Sequence, residues 1–215
     1  MPTPEHTRLL TAAARSILRP LGCMQKGRSR TWLDDHGWWV GVIEFQPSAW
    51  SRGSYLNVGA CWLWEEKDFL SFDAGYRVAP FQPFTDTAEF TAVAQALAEQ
   101  AAAEVLALRD RFPTPGHVRA LMRRHPNPRI REHMHAGITA GLAGAYDEGR
   151  RHFALAAAET DQAPWVDALK QCGAELVPLL QTGGGFEAEI AAIVTRTRRA
   201  LRLPEWQSSP LIPPG

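Results

Sequence analysis

The sequence predicts an α+β protein: an N-terminal helix, an antiparallel meander of about four strands covered by a long helix, then an all-helical C-terminal region. Three observations lead there. Between Ser29 and Pro80, β-branched and aromatic residues replace alanines, and Gly, Pro, Asn and Asp recur at short intervals. An alanine-rich run with helical spacing of apolar residues follows directly, from Asp86 to Phe112. Beyond "PTPG" at Pro113–Gly116 the chain carries helical periodicity as far as Leu201, interrupted by "HPNPR" and "TGGG". A chain of 215 residues that is 45% hydrophobic has ample material for a core.

The first element is "TPEHTRLLTAAARSILRPLG", with Thr3 as N-cap, Pro4 in the first turn, and Leu9, Leu10, Ala13, Ile17 and Leu21 as its apolar stripe. Pro20 and Gly22 end it. Four strands are predicted next, at about Arg28–Leu33, Trp38–Gln46, Ser54–Glu65 and Asp73–Ala79. "DDHG" at Asp34–Gly37 reads as a tight turn and "PSAWSRG" as a longer hairpin loop, and such short connections favour antiparallel pairing. The long helix opens with Asp86 and Glu89 at capping-box spacing and presents Phe90, Val93, Leu97, Ala101, Val105, Leu108 and Phe112 on one stripe. An apolar stripe of that length needs a sheet face to cover. Five more helices are predicted, at about Pro115–Arg124, Arg131–Leu142, Ala145–Glu159, Ala163–Leu180 and Phe186–Leu201. The organisation expected is an α+β domain over 1–112, a helical region over 113–203 and a loosely ordered, proline-rich tail over 204–215.

Lys+Arg and Asp+Glu both number 23, so the chain lacks the generic electrostatic pull toward nucleic acids and membrane surfaces. Cys23, Cys61 and Cys172 are far apart and without CxxC or Cys/His ligand spacing, which argues against a disulfide framework and a zinc site. His133 and His135 are two apart, so on a helix they point in different directions and cannot chelate as an i,i+4 pair would. No nucleophile elbow, His-Glu-x-x-His helix, Gly-x-Gly-x-x-Gly turn or kinase-like set occurs, and "QTGGG" lacks the Lys-Ser/Thr ending of a P-loop. No cofactor or metal is expected. With no basic n-region before an apolar run and no stretch of membrane-spanning length, a soluble cytoplasmic protein is expected.

The polar residues interrupting the central strands are the main site candidates. A hairpin centred near Trp50 sets Val42 opposite Gly59, Glu44 opposite Asn57 and Gln46 opposite Tyr55, all on one face. Arg28 and Arg30 are assigned the same parity on the preceding strand, which yields a candidate ligand pocket of Arg28, Arg30, Glu44, Gln46, Asn57 and Arg77 for an anionic or amide-bearing ligand. The competing reading is a solvated sheet face on which those side chains pair with one another. Trp39, Phe45, Leu56, Val58, Trp62 and Trp64 share the opposite parity and are expected to face the long helix. Trp50, on the hairpin loop, is the tryptophan expected to be exposed for a partner. Arg119, Arg123, Arg124, Arg129 and Arg131 precede the first acid, Glu132; Arg123 and Arg124 are candidate partner contacts, and nucleic acid is the weaker alternative for this run because aromatic residues do not interleave it.

Two resemblances add to this. "PLGCMQKGRSRTWL", "VIEFQPSAW" and "YLNVGACW" resemble, in that order, a bacterial family of unknown function, the domain-of-unknown-function family 4304; the matching residues are Gly22, Lys26, Gly27, Trp32, Gln46, Ser48, Asn57 and Gly59. The likeness covers about the first half of the chain. It departs at Pro47, where the family commonly has a polar or basic residue, and at Cys23, where it commonly has an aromatic one. It implies a fold and no catalytic residue. "GITAGLAGAYDEGRRHFALAAAE" resembles part of a tetratricopeptide repeat, with Tyr146, Gly149, Phe153 and Ala157 on one helix face, but no second copy follows, and a solenoid needs about three. The function expected is therefore a non-catalytic binding or interaction module. The alternative is a small-ligand enzyme acting on a phosphate- or amide-bearing substrate, with Glu44 as acid/base and Arg28 or Arg30 as anion clamp, and a weaker one is single-stranded nucleic-acid binding through Arg123, Arg124, Arg129, Arg131 and Trp50.

Overall fold

The computed structural model describes residues 3–182, 184–207 and 209–211. Its element order is α1 (Glu5–Leu18), β1 (Met24–Gln25), β2 (Thr31–Asp35), β3 (Trp39–Glu44), β4 (Gly53–Trp62), β5 (Ala74–Pro83), α2 (Thr87–Arg111), α3 (Pro115–Arg123), α4 (Ile130–Leu142), α5 (Tyr146–Ala157), α6 (Pro164–Thr182) and α7 (Phe186–Ala200). The fold is α+β, as the sequence predicts, with five strands rather than four. The chain divides into a sheet unit, residues 3–63 and 67–111, and a helical unit that takes in Trp64–Glu66 and the described residues from Phe112 onward.

In the sheet unit the strands run β1-β2-β3-β4-β5, every neighbour antiparallel. The additional strand is β1, two residues paired with Leu33 and Trp32. It is too short to show any period, so alternation could not reveal it. The Lys26–Ser29 turn joins it to β2: the Ser29 hydroxyl donates to Lys26 O at 2.7 Å, and the Gln25 amide donates to Ser29 O at 2.8 Å. Strand β2 accordingly starts at Thr31, and Arg28 belongs to the turn.

The hairpin β3–β4 has the expected register, Val42 opposite Gly59 and Glu44 opposite Asn57, and Tyr55 N–H donates to Gln46 O at 2.9 Å. The other parity carries Trp39, Ile43, Phe45, Leu56, Val58 and Trp62, all buried. Helix α2 covers this face: Tyr76, opposite Val58, donates its hydroxyl to Glu104 of α2 at 2.7 Å, and Asp34 of β2 is paired with Arg109. Its buried side is Phe90, Ala94, Leu97, Ala98, Ala101, Val105 and Leu108. The Asp86 carboxylate caps its first turn by accepting from Glu89 N–H at 2.9 Å. Helix α1 lies alongside α2 and buries His6, Leu10, Ala14 and Leu18, one position round from the predicted stripe. Its N-cap is Pro4 rather than Thr3, with no side-chain cap.

Strands β4 and β5 meet through glycine at Gly59 and Gly75. A Cβ at Gly59 would stand 2.7 Å from the Gly75 Cα and 2.9 Å from both the Ala74 carbonyl oxygen and the Phe72 ring. Two of those atoms are backbone, so the strands themselves would have to part. Gly59→Ala is expected to cost about 2–3 kcal/mol, by the ordinary scale of overpacking, read as a lower urea midpoint with an unchanged slope.

The helical unit has its core on α4, where Met134 and Ile138 are buried, with Phe153 from α5, Val166, Leu169 and Leu176 from α6, and Ile190, Ile193 and Val194 from α7. Helices α4 and α5 form the hairpin predicted from "GITAGLAGAYDEG": Gly149, Phe153 and Ala156 are its buried α5 face, and Ala157 is exposed instead of Ala156. Helix α6 continues two residues past the predicted end at Leu180. Of the tail, Pro210 and Leu211 are buried, while Ser208 and residues 212–215 lie outside the described residues, as does Gly183 of "TGGG". Among the described residues no helix is long and apolar enough to cross a membrane.

Candidate functional site

On the sheet face away from α2, Glu44, Gln46, Asn57 and Arg77 do converge. The Asn57 side-chain amide donates to Glu44 Oε2 and to Gln46 Oε1, both at 2.9 Å. Arg77 donates to Gln46 Oε1 at 3.1 Å and to Asn57 Oδ1 at 3.3 Å, and its guanidinium carbon lies 4.2 Å from the centre of the Tyr55 ring. The amide hydrogens of Asn57 are spent within the cluster, so the arrangement ties β3, β4 and β5 together across the strands.

Arg28 and Arg30 do not join it. Thr31 pairs with Glu44, so Arg30 stands opposite Phe45 and shares the helix-facing parity. Its guanidinium donates to Phe45 O at 2.9 Å and Gly53 O at 3.0 Å and reaches Thr7 Oγ1 of α1 at 3.4 Å. A one-residue difference in register moves a side chain to the other face of a sheet, which explains the misplacement. Arg28 is exposed in the β1–β2 turn. The expected anion clamp beside Glu44 is therefore not assembled.

Trp50 is 95% exposed at the tip of the β3–β4 loop. The arginine run on α3 and α4 is largely matched by carboxylates. Arg119 and Arg123 both fork onto Glu148 of α5, at 2.6 and 2.7 Å. Those two guanidinium groups, outweighing the cost of burial, hold the Glu148 carboxyl down at about 2. Arg129 faces Glu159 at 3.5 Å, and Arg131 pairs with Glu65 while its guanidinium lies 4.9 Å from the centre of the Trp165 ring. Arg124 is exposed at the C-cap of α3.

A concave site lies in the helical unit: a cleft of about 630 Å³, walled by α4, α6, α7 and the Trp64–Glu66 segment. Its apolar lining includes Met134, Ile138, Leu169, Leu176 and Ile193. Its polar floor is a buried chain of contacts. Trp64 Nε1–H donates to His135 Nδ1 at 3.1 Å, so the Nδ1 is an acceptor and the ring proton sits on Nε2, 4.0 Å from Glu65 Oε2. The Thr197 hydroxyl donates to the Glu65 carbonyl at 3.3 Å, and the Thr139 hydroxyl donates to His135 O at 2.8 Å. At the mouth, Arg196 bridges Glu66 at 2.9 Å and Glu189 at 3.1 Å. Cys172 lines the same wall, and burial first, then the charges of Glu175 and Glu66, push its thiol up to about 11. It is a neutral thiol near pH 7, not an activated nucleophile.

Sequence reasoning missed this cleft. The parity of a strand reaching Glu65 predicts Trp64 on the α2-facing side. The strand ends at Trp62, and Trp64 instead belongs to the helical unit, where it meets His135. His133 and His135 point apart on α4, and His133 contacts His152, Nδ1 to Nδ1 at 3.2 Å. No local pattern joins residues as remote as Glu66 and Arg196.

The fold and the cleft together define a two-unit α+β chain with a mainly apolar cleft in its helical unit. A scan against protein-family models finds no match, and searches of curated proteins and of solved structures find none either.

Proposed function

We propose that this chain is a non-catalytic binding module whose ligand occupies the helical-unit cleft. The observation that carries the reading is the cleft itself: about 630 Å³, in the size range of small-molecule sites, with apolar walls over a polar floor already held in place by Trp64, His135 and Glu65. Arg30 lies on the sheet face opposite to Glu44, so the position of that guanidinium lends no support to an acid/base and clamp pair at Glu44. Trp50 is the surface contact we assign to a protein partner, and the order of Gly22, Lys26, Gln46, Asn57 and Gly59 is the basis for relating the sheet unit to the domain-of-unknown-function family 4304. Cys23, Cys61 and Cys172 are free thiols, which supports a reducing cytoplasmic location.

The test is a fragment titration of the ¹⁵N-labelled full chain, repeated on Ala168→Trp. Ala168 lines the cleft and is exposed, so the indole would fill the space without displacing core. Amide shifts on α4, α6 and α7 that vanish in the variant are expected. Shifts confined to other surfaces, or turnover of a bound fragment, would overturn the reading.

A further inference from the structure

Four carboxylates line the cleft: Glu65, Glu66, Glu175 and Glu189. Among the described residues one guanidinium, Arg196, lines it with them, spanning Glu66 and Glu189; Arg131 meets Glu65. Among the described lining residues the carboxylates therefore outnumber the guanidinium groups.

The excess is centred on Glu175. Gln171, one turn earlier on α6, donates its side-chain amide to the Glu175 carboxylate at 2.7 Å and so orients it. No cation is paired with Glu175 among the described residues. Glu175 is exposed at the rim, beside apolar lining from Leu176 and Leu179. Burial is the first cause that lifts the Cys172 thiol beside it, and the charges of Glu175 and Glu66 add to that against the opposing pull of Arg196.

Resting on the cleft reading above, we propose that the ligand is a small organic amine, an apolar body carrying one ammonium group, with the body against Met134, Ile138 and Leu176 and the ammonium on Glu175. A neutral apolar ligand would leave the rim charge unused, and a carboxylate would be repelled by it. The volume of about 630 Å³ suits a small molecule rather than a folded partner.

The test uses three near-isosteric probes, 2-phenylethylamine, 2-phenylethanol and phenylacetate, each titrated into the ¹⁵N-labelled full chain at low salt. The expected order is amine tightest, by about fivefold or more over the alcohol, the scale of one rim ion pair, and phenylacetate weakest. Glu175→Gln is expected to erase the advantage of the amine while leaving the alcohol unchanged, and added salt to narrow it. Equal binding of amine and alcohol at the cleft, or tighter binding of phenylacetate, would overturn the amine assignment and leave the cleft as the site. Failure of all three to shift cleft amides, or identical shifts in Ala168→Trp, would overturn the cleft reading and this one with it.

Discussion

Asp34→Ala is expected to destabilise the sheet unit by about 3 kcal/mol, the lower end of what removing one partner of a buried ion pair costs. Asp34 sits on β2 at 3% exposure, on the face covered by α2. Arg109 forks onto it, Nη2 to Oδ1 at 2.6 Å and Nε to Oδ2 at 3.0 Å, and His36 Nε2 lies 2.7 Å from Oδ2. The same guanidinium donates to Leu21 O at 2.6 Å, so one arginine joins α2, β2 and the turn after α1. Without the carboxylate, Arg109 keeps only part of its partners; at 29% side-chain exposure it regains some hydration, which places the cost at the lower end. Chemical denaturation at pH 7 measures the loss.

The same carboxylate sets a pH dependence. Burial pushes the Asp34 carboxyl up, but the hydrogen bonds from His36 and Arg109, with their charges, outweigh it and hold it below its ordinary value. A carboxyl whose folded value is depressed contributes stability that is fully present above the unfolded value of about 3.9 and is lost as pH falls through the folded value. Asp34→Asn keeps the shape and removes the titration. Its stability is expected to fall less than that of the parent chain between pH 5 and pH 2, a difference visible in parallel urea midpoints.

Phe153→Ala is expected to cost the helical unit about 3–5 kcal/mol, the range for truncating a buried aromatic ring. The ring is buried on α5 and lies close against Gly137 of α4 and Gly173 of α6: a Cβ at Gly137 would come within 2.7 Å of it, one at Gly173 within 3.6 Å. Truncation therefore opens a void where three helices meet. Gly137→Ala in the parent chain forces the ring aside and is expected to cost about 1–3 kcal/mol even after its gain in helix propensity. In the Phe153→Ala background the same methyl enters the void and is expected to be neutral or stabilising. The double-mutant cycle should therefore give a favourable coupling of about 1–3 kcal/mol. Additive costs would show that the ring does not pack on Gly137.

Much of this architecture could be read from local pattern. Helix limits follow Pro and Gly punctuation closely, because those residues act on backbone dihedrals and do not wait for a partner: α3 begins at Pro115, α4 ends at Leu142 just before Gly144, and α7 begins at Phe186 beside Gly185. The register of β3 on β4 was legible for a similar reason. A period of two with one loop to centre on leaves few pairings, and Glu44 meets Asn57 as expected. Elements without a period are not legible: β1 is two residues long, and the register of β2 on β3, which follows the Lys26–Ser29 turn, sets Arg30 opposite Phe45 on the helix-facing side.

The sequence by itself determined the α+β class, the order of sheet and helices and the cross-strand set of Glu44, Gln46 and Asn57, since each is written in the periodicity of a single element or one hairpin. Only the tertiary structure decided the cleft, where Trp64, His135, Glu175 and Arg196 meet from four separate segments. Periodicity tells a residue which side of its own helix or strand it occupies. Which other segment arrives at that side depends on side-chain packing across more than a hundred residues of chain, as between Glu66 and Arg196.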